Sequence, residues 1–300
     1  NNFFSGVFGG SKLYGNDWNL NGEVDSRFEN LWGAMERITF KWKNIDSTNQ
    51  SFKISLYRPH LLITGVGLKG EYNYQIVNNY FTETQFGINV EFFNNYYGSF
   101  YVGYKQGDIT STEQGLRKNY FSTNYKALKF VFEHNSLNRV LLPDKGHKLD
   151  IEFDIGEDKL INELYVKTKL NFIGFSNFFH KINFCLKSYN DLIKPFQGEI
   201  GLSRQISFGG VNSFRGFNDN QFKSSAISVQ SLEIHYTLDN AFKIITFIDC
   251  GFAKDYYPKY SFGFGLSKIS KTALIDVQYA VPLGSAIQNG KVHLKWVTRL

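Results

Sequence analysis

The sequence predicts an all-β protein, a 16-stranded antiparallel transmembrane β-barrel formed by residues 1–300 as a single domain. Three observations support this prediction. Hydrophobic and polar residues alternate with a period of two along most of the chain. Most of the alternating runs have about ten or more residues, which is the length a tilted strand needs to cross a bilayer. Aromatic residues make up 17% of the chain, with 30 Phe and 18 Tyr against one Met, and this balance favours strands over helices.

Short polar or glycine-containing turns separate sixteen alternating runs. An even number of strands closes a cylinder, which leaves no edge unpaired in hydrocarbon. A β-sandwich in water is the alternative, but its strands usually have about five or six residues. The predicted strands cover approximately residues 2–11, 17–28, 35–44, 50–58, 65–78, 81–94, 96–106, 121–134, 146–156, 160–174, 177–189, 226–238, 242–252, 258–267, 271–281 and 290–299.

The charge distribution argues against nucleic acid as a partner. The 33 Lys and Arg and the 27 Asp and Glu residues give a net charge of +6, and they are spread along the chain without a basic run. Histidines are scattered without metal-ligand spacing, and no catalytic triad, carboxylate pair or phosphate-binding loop stands out. We therefore expect no enzymatic activity, no cofactor and no metal ion. Cys185 and Cys250 are predicted to face opposite sides of the barrel wall, so we expect no disulfide.

Two long connections, 107–120 and 190–225, fall at the same end of the predicted barrel. Within the longer one, the glycine-rich stretch 209–217 carries one arginine, Arg215, and the strand 242–252 carries Asp249 among hydrophobic residues. An arginine is always charged and offers a planar set of donors, while glycine permits close backbone approach. We expect these groups to form one buried contact, with Glu233 as a second candidate partner.

Three motifs carry a family resemblance. The stretch 209–217, with Gly209, Gly210, Arg215, Gly216 and Phe217, resembles a GG-x-x-S-V/L-R-G-F/Y signature, although Phe214 stands where Val or Leu is usual. The stretch 247–251 resembles an F-x-D-x-G strand, and Pro143, Asp144 and Gly146 resemble a P-x-K/D-G turn before the ninth strand. Together, in this order, they resemble the bacterial outer-membrane barrel superfamily, or bacterial surface antigen barrels, that includes BamA, TamA and the two-partner-secretion exporters, most closely in its Bacteroidota forms.

The resemblance implies that the loop 190–225 folds into the lumen and that Arg215 pairs there with an acid on the inner wall. It also implies assembly and insertion of outer-membrane proteins, with client strands templated at the seam between the first and last strands. Glycine and short pairing make this seam the easiest place to open. Its predicted residues are Phe3, Phe4, Gly6, Val292, Leu294 and Trp296.

Two other functions stay open. A two-partner-secretion-type exporter would thread a polypeptide through the lumen, and a structural or surface-binding barrel would use its outer loops as one subunit of a larger complex. The expected location is the bacterial outer membrane with both termini periplasmic. Expected partners are outer-membrane lipid, client outer-membrane or secreted polypeptides, and either POTRA domains in cis or accessory lipoproteins. POTRA repeats are not found in this sequence, so we expect a barrel-only portion of a longer protein or an accessory subunit.

Overall fold

The computed structural model describes residues 2–12, 18–46, 48–60, 65–94, 97–179, 181–210, 213–239, 241–270 and 273–299. Sixteen antiparallel strands close into one barrel, as predicted. The barrel strands are β1 (Phe3–Lys12), β2 (Trp18–Glu29), β3 (Arg37–Asp46), β4 (Asn49–Arg58), β5 (Val66–Val77), β6 (Phe81–Asn94), β7 (Gly98–Ser111), β8 (Thr123–Asn135), β9 (Gly146–Asp158), β10 (Glu163–Phe179), β11 (Ile182–Pro195), β14 (Ala226–Asp239), β15 (Phe242–Ala253), β16 (Tyr256–Ile269), β17 (Ala273–Pro282) and β18 (Lys291–Arg299).

The other elements are short. Strands β12 (Ile206–Phe208) and β13 (Phe222–Ser224) pair with each other inside the connection between β11 and β14. Helix α1 (Glu113–Arg117) lies between β7 and β8, and 3-10 turns occupy Leu202–Arg204 and Ile287–Asn289. The described residues contain no helix that is long and apolar enough to cross a membrane.

Each barrel strand pairs with its neighbours in the chain, except that β11 pairs with β14 and β1 closes the barrel on β18. The end of the barrel where β1 begins and β18 ends is called here the terminal end, and the opposite end is the loop end. The connections that contain α1 and the β12–β13 hairpin both lie at the loop end, because successive antiparallel strands alternate in direction.

The two faces of the barrel wall differ in polarity. On β6, Phe86, Ile88, Val90 and Phe92 are exposed, whereas Asn89 and Glu91 on the other face are buried. The same alternation recurs on β14, where exposed Leu232, Ile234 and Tyr236 alternate with buried Ser231, Glu233 and His235. An apolar outer face over a polar interior is the arrangement that a lipid-embedded barrel requires.

Three strands continue five or more residues beyond their predicted ends. Strand β7 continues to Ser111, β10 to Phe179 and β11 to Pro195, so the long connections shrink from 107–120 to 112–122 and from 190–225 to 196–225. The prediction assigned polar residues such as Asp191 to the connection, but this side chain is buried in the interior near Lys167. Polar residues that face the lumen therefore do not mark strand ends in this chain.

Close packing between strands makes one glycine of β16 necessary. A Cβ on Gly263 would lie 2.2 Å from the backbone oxygen of Tyr279 on β17 and 2.4 Å from the ring of Phe247 on β15. Gly70 on β5 differs, since a Cβ added there would have no atom within 4 Å.

We expect Gly263→Ala to destabilise the barrel by about 1–3 kcal/mol, because the added methyl group forces backbone or aromatic displacement. Urea unfolding in lipid vesicles, followed by tryptophan fluorescence, measures this free energy. The matched control is Gly70→Ala, which should change the free energy of unfolding by less than about 0.5 kcal/mol. Equal effects of the two substitutions would contradict the packing argument.

Candidate functional site

The connection between β11 and β14, residues 196–225, forms a compact element of its own. Its β12–β13 hairpin and the segment between the two strands contribute a cluster of buried aromatic rings, namely Phe208, Phe214, Phe217 and Phe222. Buried aromatic rings remove a large apolar area from water. This cluster, which contains the predicted Phe217, packs the two short strands and the segment between them against one another.

Glycine is required at the positions that flank Arg215. Gly210 and Gly216 have φ angles of +87° and +85°, a region that L side chains rarely adopt. A Cβ on Gly209, where φ is +125°, would lie 2.3 Å from the backbone oxygen of Asn218. The three predicted glycines therefore set the backbone path that brings Arg215 to the wall.

Arg215 contacts the inner wall formed by β14, β15 and β17. Its Nε and Nη2 atoms donate to the two carboxylate oxygens of Asp249 at 2.8 and 2.5 Å. Its Nη1 atom lies 2.7 Å from Oε1 of Glu233. Further hydrogen bonds run from Nη2 to Oγ of Ser231 at 2.6 Å and from Nη1 to Oε1 of Gln278 at 3.1 Å. We call Arg215, Asp249 and Glu233 the Arg215 lock.

The Arg215 lock is removed from water. The Arg215 side chain is 6% exposed, its two acidic partners are buried as well, and its guanidinium carbon lies 3.5 Å from the centroid of the Phe247 ring. Breaking a buried ion pair by deleting one partner costs about 3–5 kcal/mol, although the intact pair adds little net stability. The lock therefore specifies one position of the loop.

Two cations of the loop respond differently to burial. Burial by itself lowers the pKa of Arg215, but the hydrogen bonds to Asp249 and the charge of Glu233 raise it above its ordinary value. Lys223 lies 4.7 Å from the centroid of the Tyr120 ring, and burial lowers its pKa to about 8. Arg215 therefore stays charged in the lock, whereas the pKa of Lys223 in the same loop is lowered by burial to about 8.

Glu233 is the centre of a wider network. Lys187 donates to its Oε1 at 2.6 Å, and Nε2 of His235 lies 2.7 Å from its Oε2. Cys185, Glu233 and His235 each place one atom that could bind a metal ion within 4.8 Å of the others. Both carboxylate oxygens of Glu233 already contact Arg215, Lys187 or His235, and the adjacent cations oppose the entry of a further one. We interpret this cluster as part of the ion-pair network.

A second buried arginine, Arg204, fixes the other limb of the loop, and the sequence analysis missed it. Its Nε atom donates to Oδ2 of Asp158 at 3.0 Å. Its guanidinium carbon lies 3.4 Å from the ring centroid of Tyr125 and 4.9 Å from that of Tyr165. These partners lie on β8, β9 and β10, whereas the partners of Arg215 lie on β14, β15 and β17. The loop is thus held to the strands that precede β11 and also to β14 and the strands that follow it.

The predicted turn residues Pro143, Asp144 and Gly146 lie in the connection between β8 and β9, residues 136–145, at the terminal end. The side chain of Asn138 closes this turn, because its Oδ1 accepts a hydrogen bond from the backbone N–H of Asp144 at 3.2 Å. Gly146 has φ of +91° and begins β9. Side-chain bonds of this kind stabilise a particular turn conformation.

The predicted seam residues lie on β1 and β18. The two strands pair at six positions, from Phe3 with Arg299 to Phe8 with Leu294, whereas β1 and β2 pair at ten. Gly6 lies opposite Trp296, and the ring of Phe4 meets that of Trp296 edge-on with centroids 6.4 Å apart. Val292 pairs with Tyr279 on β17, beyond the last β1–β18 pair in the described residues.

A family model described as the Omp85 superfamily domain matches residues 15–297. The chain belongs to the Omp85 superfamily. This assignment confirms the family prediction of an outer-membrane β-barrel. A search of curated proteins found no match.

Solved structures of Omp85 barrels superimpose on this one. BamA from Haemophilus ducreyi lacking POTRA domains 1–3 has a TM-score of 0.72 at 17% identity, over 99% of this chain and 69% of that chain. CdiB from Acinetobacter baumannii has a TM-score of 0.69 at 13% identity, over 99% of this chain and 59% of that chain. CdiB from Escherichia coli has a TM-score of 0.66 at 13% identity, over 99% and 62%. These likenesses show the barrel fold.

In this Omp85 barrel, the sequence analysis named Arg215 and its two acids but not all of their partners. Gln278 faces inward on β17, and alternation around it could have marked it as luminal. Arg204 gave no comparable signal, because a lone loop arginine usually faces solvent and Asp158 stands at a strand end. Its importance depends on a contact that only the closed barrel creates.

We expect Arg215→Ala to leave the barrel folded and to raise the rate at which proteinase K cleaves residues 205–225 by about tenfold or more, because Asp249 and Glu233 lose their shared partner. Mass spectrometry of the fragments measures this rate, and circular dichroism checks the fold. Arg117→Ala, at an exposed position of α1, is the control and should change nothing. Unaltered protection in Arg215→Ala would contradict the lock.

We expect Arg204→Ala to loosen residues 196–206 while residues 208–217 keep their protection, since the two arginines use different strands. Amide hydrogen exchange, measured by mass spectrometry, resolves the two limbs. The double variant with Arg215→Ala should expose both. If either single substitution deprotected both limbs equally, the two arginines would form one cooperative contact rather than two separate anchors.

Proposed function

We propose that this Omp85 barrel assembles and inserts other β-barrel proteins into the bacterial outer membrane, with its terminal end in the periplasm. In this proposal the seam between β1 and β18 opens, and an incoming client strand adds to the exposed edge. Main-chain hydrogen bonds then give affinity with little dependence on sequence. Folding of the client supplies the driving force, so no nucleotide is needed.

The observation that carries this proposal is the incomplete pairing at the seam. Residues 9–12 of β1 pair with β2 but have no partner on β18 among the described residues. On the other side, Lys291, Val292 and His293 of β18 pair only with β17 in the described structure. An unpaired strand edge presents free N–H and C=O groups, which form a template for another strand. The seam is thus already parted at the loop end.

The occupied lumen supports insertion at the seam over export through the lumen. The loop 196–225 is anchored by both Arg204 and Arg215, so a threaded polypeptide would have to displace two buried arginines. Wall side chains fill further space, since Lys129 lies 3.5 Å from Glu71 and 3.4 Å from Glu152. Two separate cavities of about 480 Å³ each lie on different sets of strands.

We further propose that outer-membrane lipid contacts the exposed apolar face and that client polypeptides reach the seam from the periplasm. Recruitment would depend on POTRA domains in cis or on accessory lipoproteins. In this proposal the barrel supplies the seam for strand pairing, and the other domains or subunits recruit the client.

We expect the protein, reconstituted in phosphatidylethanolamine and phosphatidylglycerol vesicles, to accelerate folding of an eight-stranded model barrel by about tenfold or more over empty vesicles, because the open edge lowers the barrier to strand pairing. The heat-dependent mobility of the folded client on gels measures the rate. A disulfide between Gly6→Cys and Trp296→Cys, in a Cys185→Ala and Cys250→Ala background, should abolish the acceleration until it is reduced.

The control disulfide joins Ile88→Cys and Tyr104→Cys, an exposed pair on β6 and β7, and should leave the acceleration intact. Acceleration that ignores the seam disulfide, or no acceleration over empty vesicles, would contradict the proposal. Client found inside the vesicle lumen would instead support export.

A further inference from the structure

The β8–β9 turn, residues 136–145, reaches across the terminal end of the barrel to the opposite wall. Five strands lie between β9 and β17 around the barrel. Nevertheless, the side chain of Leu142 lies in one buried apolar cluster with Leu274 of β17 and Val297 of β18, which pair with each other across the two strands. Leu142 is only 9% exposed. The turn therefore joins two parts of the wall that the β-ladder connects only through many intervening strands.

A buried lysine fixes the same turn from a third strand. Lys243, at the start of β15, is buried, and its Nζ atom donates to the backbone oxygens of Leu142 at 3.2 Å and Pro143 at 2.8 Å. An ammonium group removed from water without acceptors is strongly unfavourable. The two carbonyl groups therefore tie the turn to β15 as the apolar contact ties it to β17 and β18.

The backbone at Leu142 supports a specified contact. Leu142 has φ of +47°, a left-handed conformation that is unfavourable for a residue with a side chain. Such a conformation persists only where surrounding contacts fix it. Here those contacts are the apolar cluster with Leu274 and Val297 and the hydrogen bonds from Lys243.

We propose that residues 136–145 form a strut that holds the terminal end of β18 and so restrains the seam. Val297, which belongs to the same buried cluster as Leu142, pairs with Ser5 across the seam. In this role Leu142 and Lys243 are positioning residues, because they act on the seam through β18 and contact no client. The purpose of the strut rests on the proposed function, but the restraint on β18 does not depend on a client.

The strut explains why the seam is paired at one end only. The six β1–β18 pairs lie toward the terminal end, next to Val297, and the unpaired residues lie toward the loop end. With β18 held at the terminal end, the strand pivots there and parts from β1 at the loop end first. The strut thus sets the direction in which the seam opens.

The test is amide hydrogen exchange of the reconstituted protein without client. Leu142→Gly keeps the left-handed backbone accessible but removes the side chain, and we expect exchange in residues 291–299 to become about tenfold faster. Exchange in β6 and β7 should stay unchanged. The matched control is Met35→Gly in the β2–β3 turn at the same end, since Met35 also has positive φ, +58°, but is 67% exposed.

Lys243→Met provides a second, independent variant and should also speed exchange in residues 291–299, because the turn loses its tie to β15. It decides the question if Leu142→Gly does not fold. Unchanged exchange in β18 in the folded variants would overturn the strut, whatever the client assay shows. Faster exchange together with failure of client acceleration in the wild type would keep the strut and reject the proposed function.

Discussion

Closure of the sheet in a medium without water is the constraint on which the rest of this structure depends. Hydrocarbon offers no partner to backbone N–H and C=O groups, so every strand must have two neighbours and the first must meet the last. The outer face must then be apolar and the polar residues must turn inward. The ladder between β1 and β18 is needed for closure, yet within the described residues it pairs at only six positions. The pairing between the first and the last strand is therefore the weak part of the closed sheet.

An interior filled with charges makes the loop position specific. Arg204 and Arg215 are both buried, and each needs its own acid in place, because an unpaired buried charge is far less favourable than a paired one. Asp158 and Asp249 lie on different parts of the wall, so a shifted loop would leave at least one arginine without its acid. The aromatic cluster around Phe214 packs the loop internally, and the ion pairs fix its position against the barrel wall.

The strands could be predicted from the sequence because side-chain alternation is a local property. The same alternation assigns a face to each residue, so Asp249 and Glu233 could be predicted to face the lumen. It does not say which residues meet across the interior. The contact of Arg204 with Asp158 and the cluster of Leu142 with Leu274 and Val297 join elements that are distant in the chain, and they exist only once the barrel closes. Strand ends were missed for a related reason, since Asp191 looks like a turn residue but faces the lumen.

The restraints on this barrel are unevenly distributed, and that distribution bears on how it could move. Two arginines fix the loop against the wall from β8 to β17, and the strut at Leu142 holds β17 and β18 at the terminal end. Neither set of contacts includes the loop end of β1, where pairing with β18 also stops. The barrel can open there without losing the buried ion pairs of Arg204 and Arg215. Opening confined to this part of the seam leaves the lumen filled. A filled lumen is more compatible with strand addition at the seam than with export of a polypeptide through the lumen.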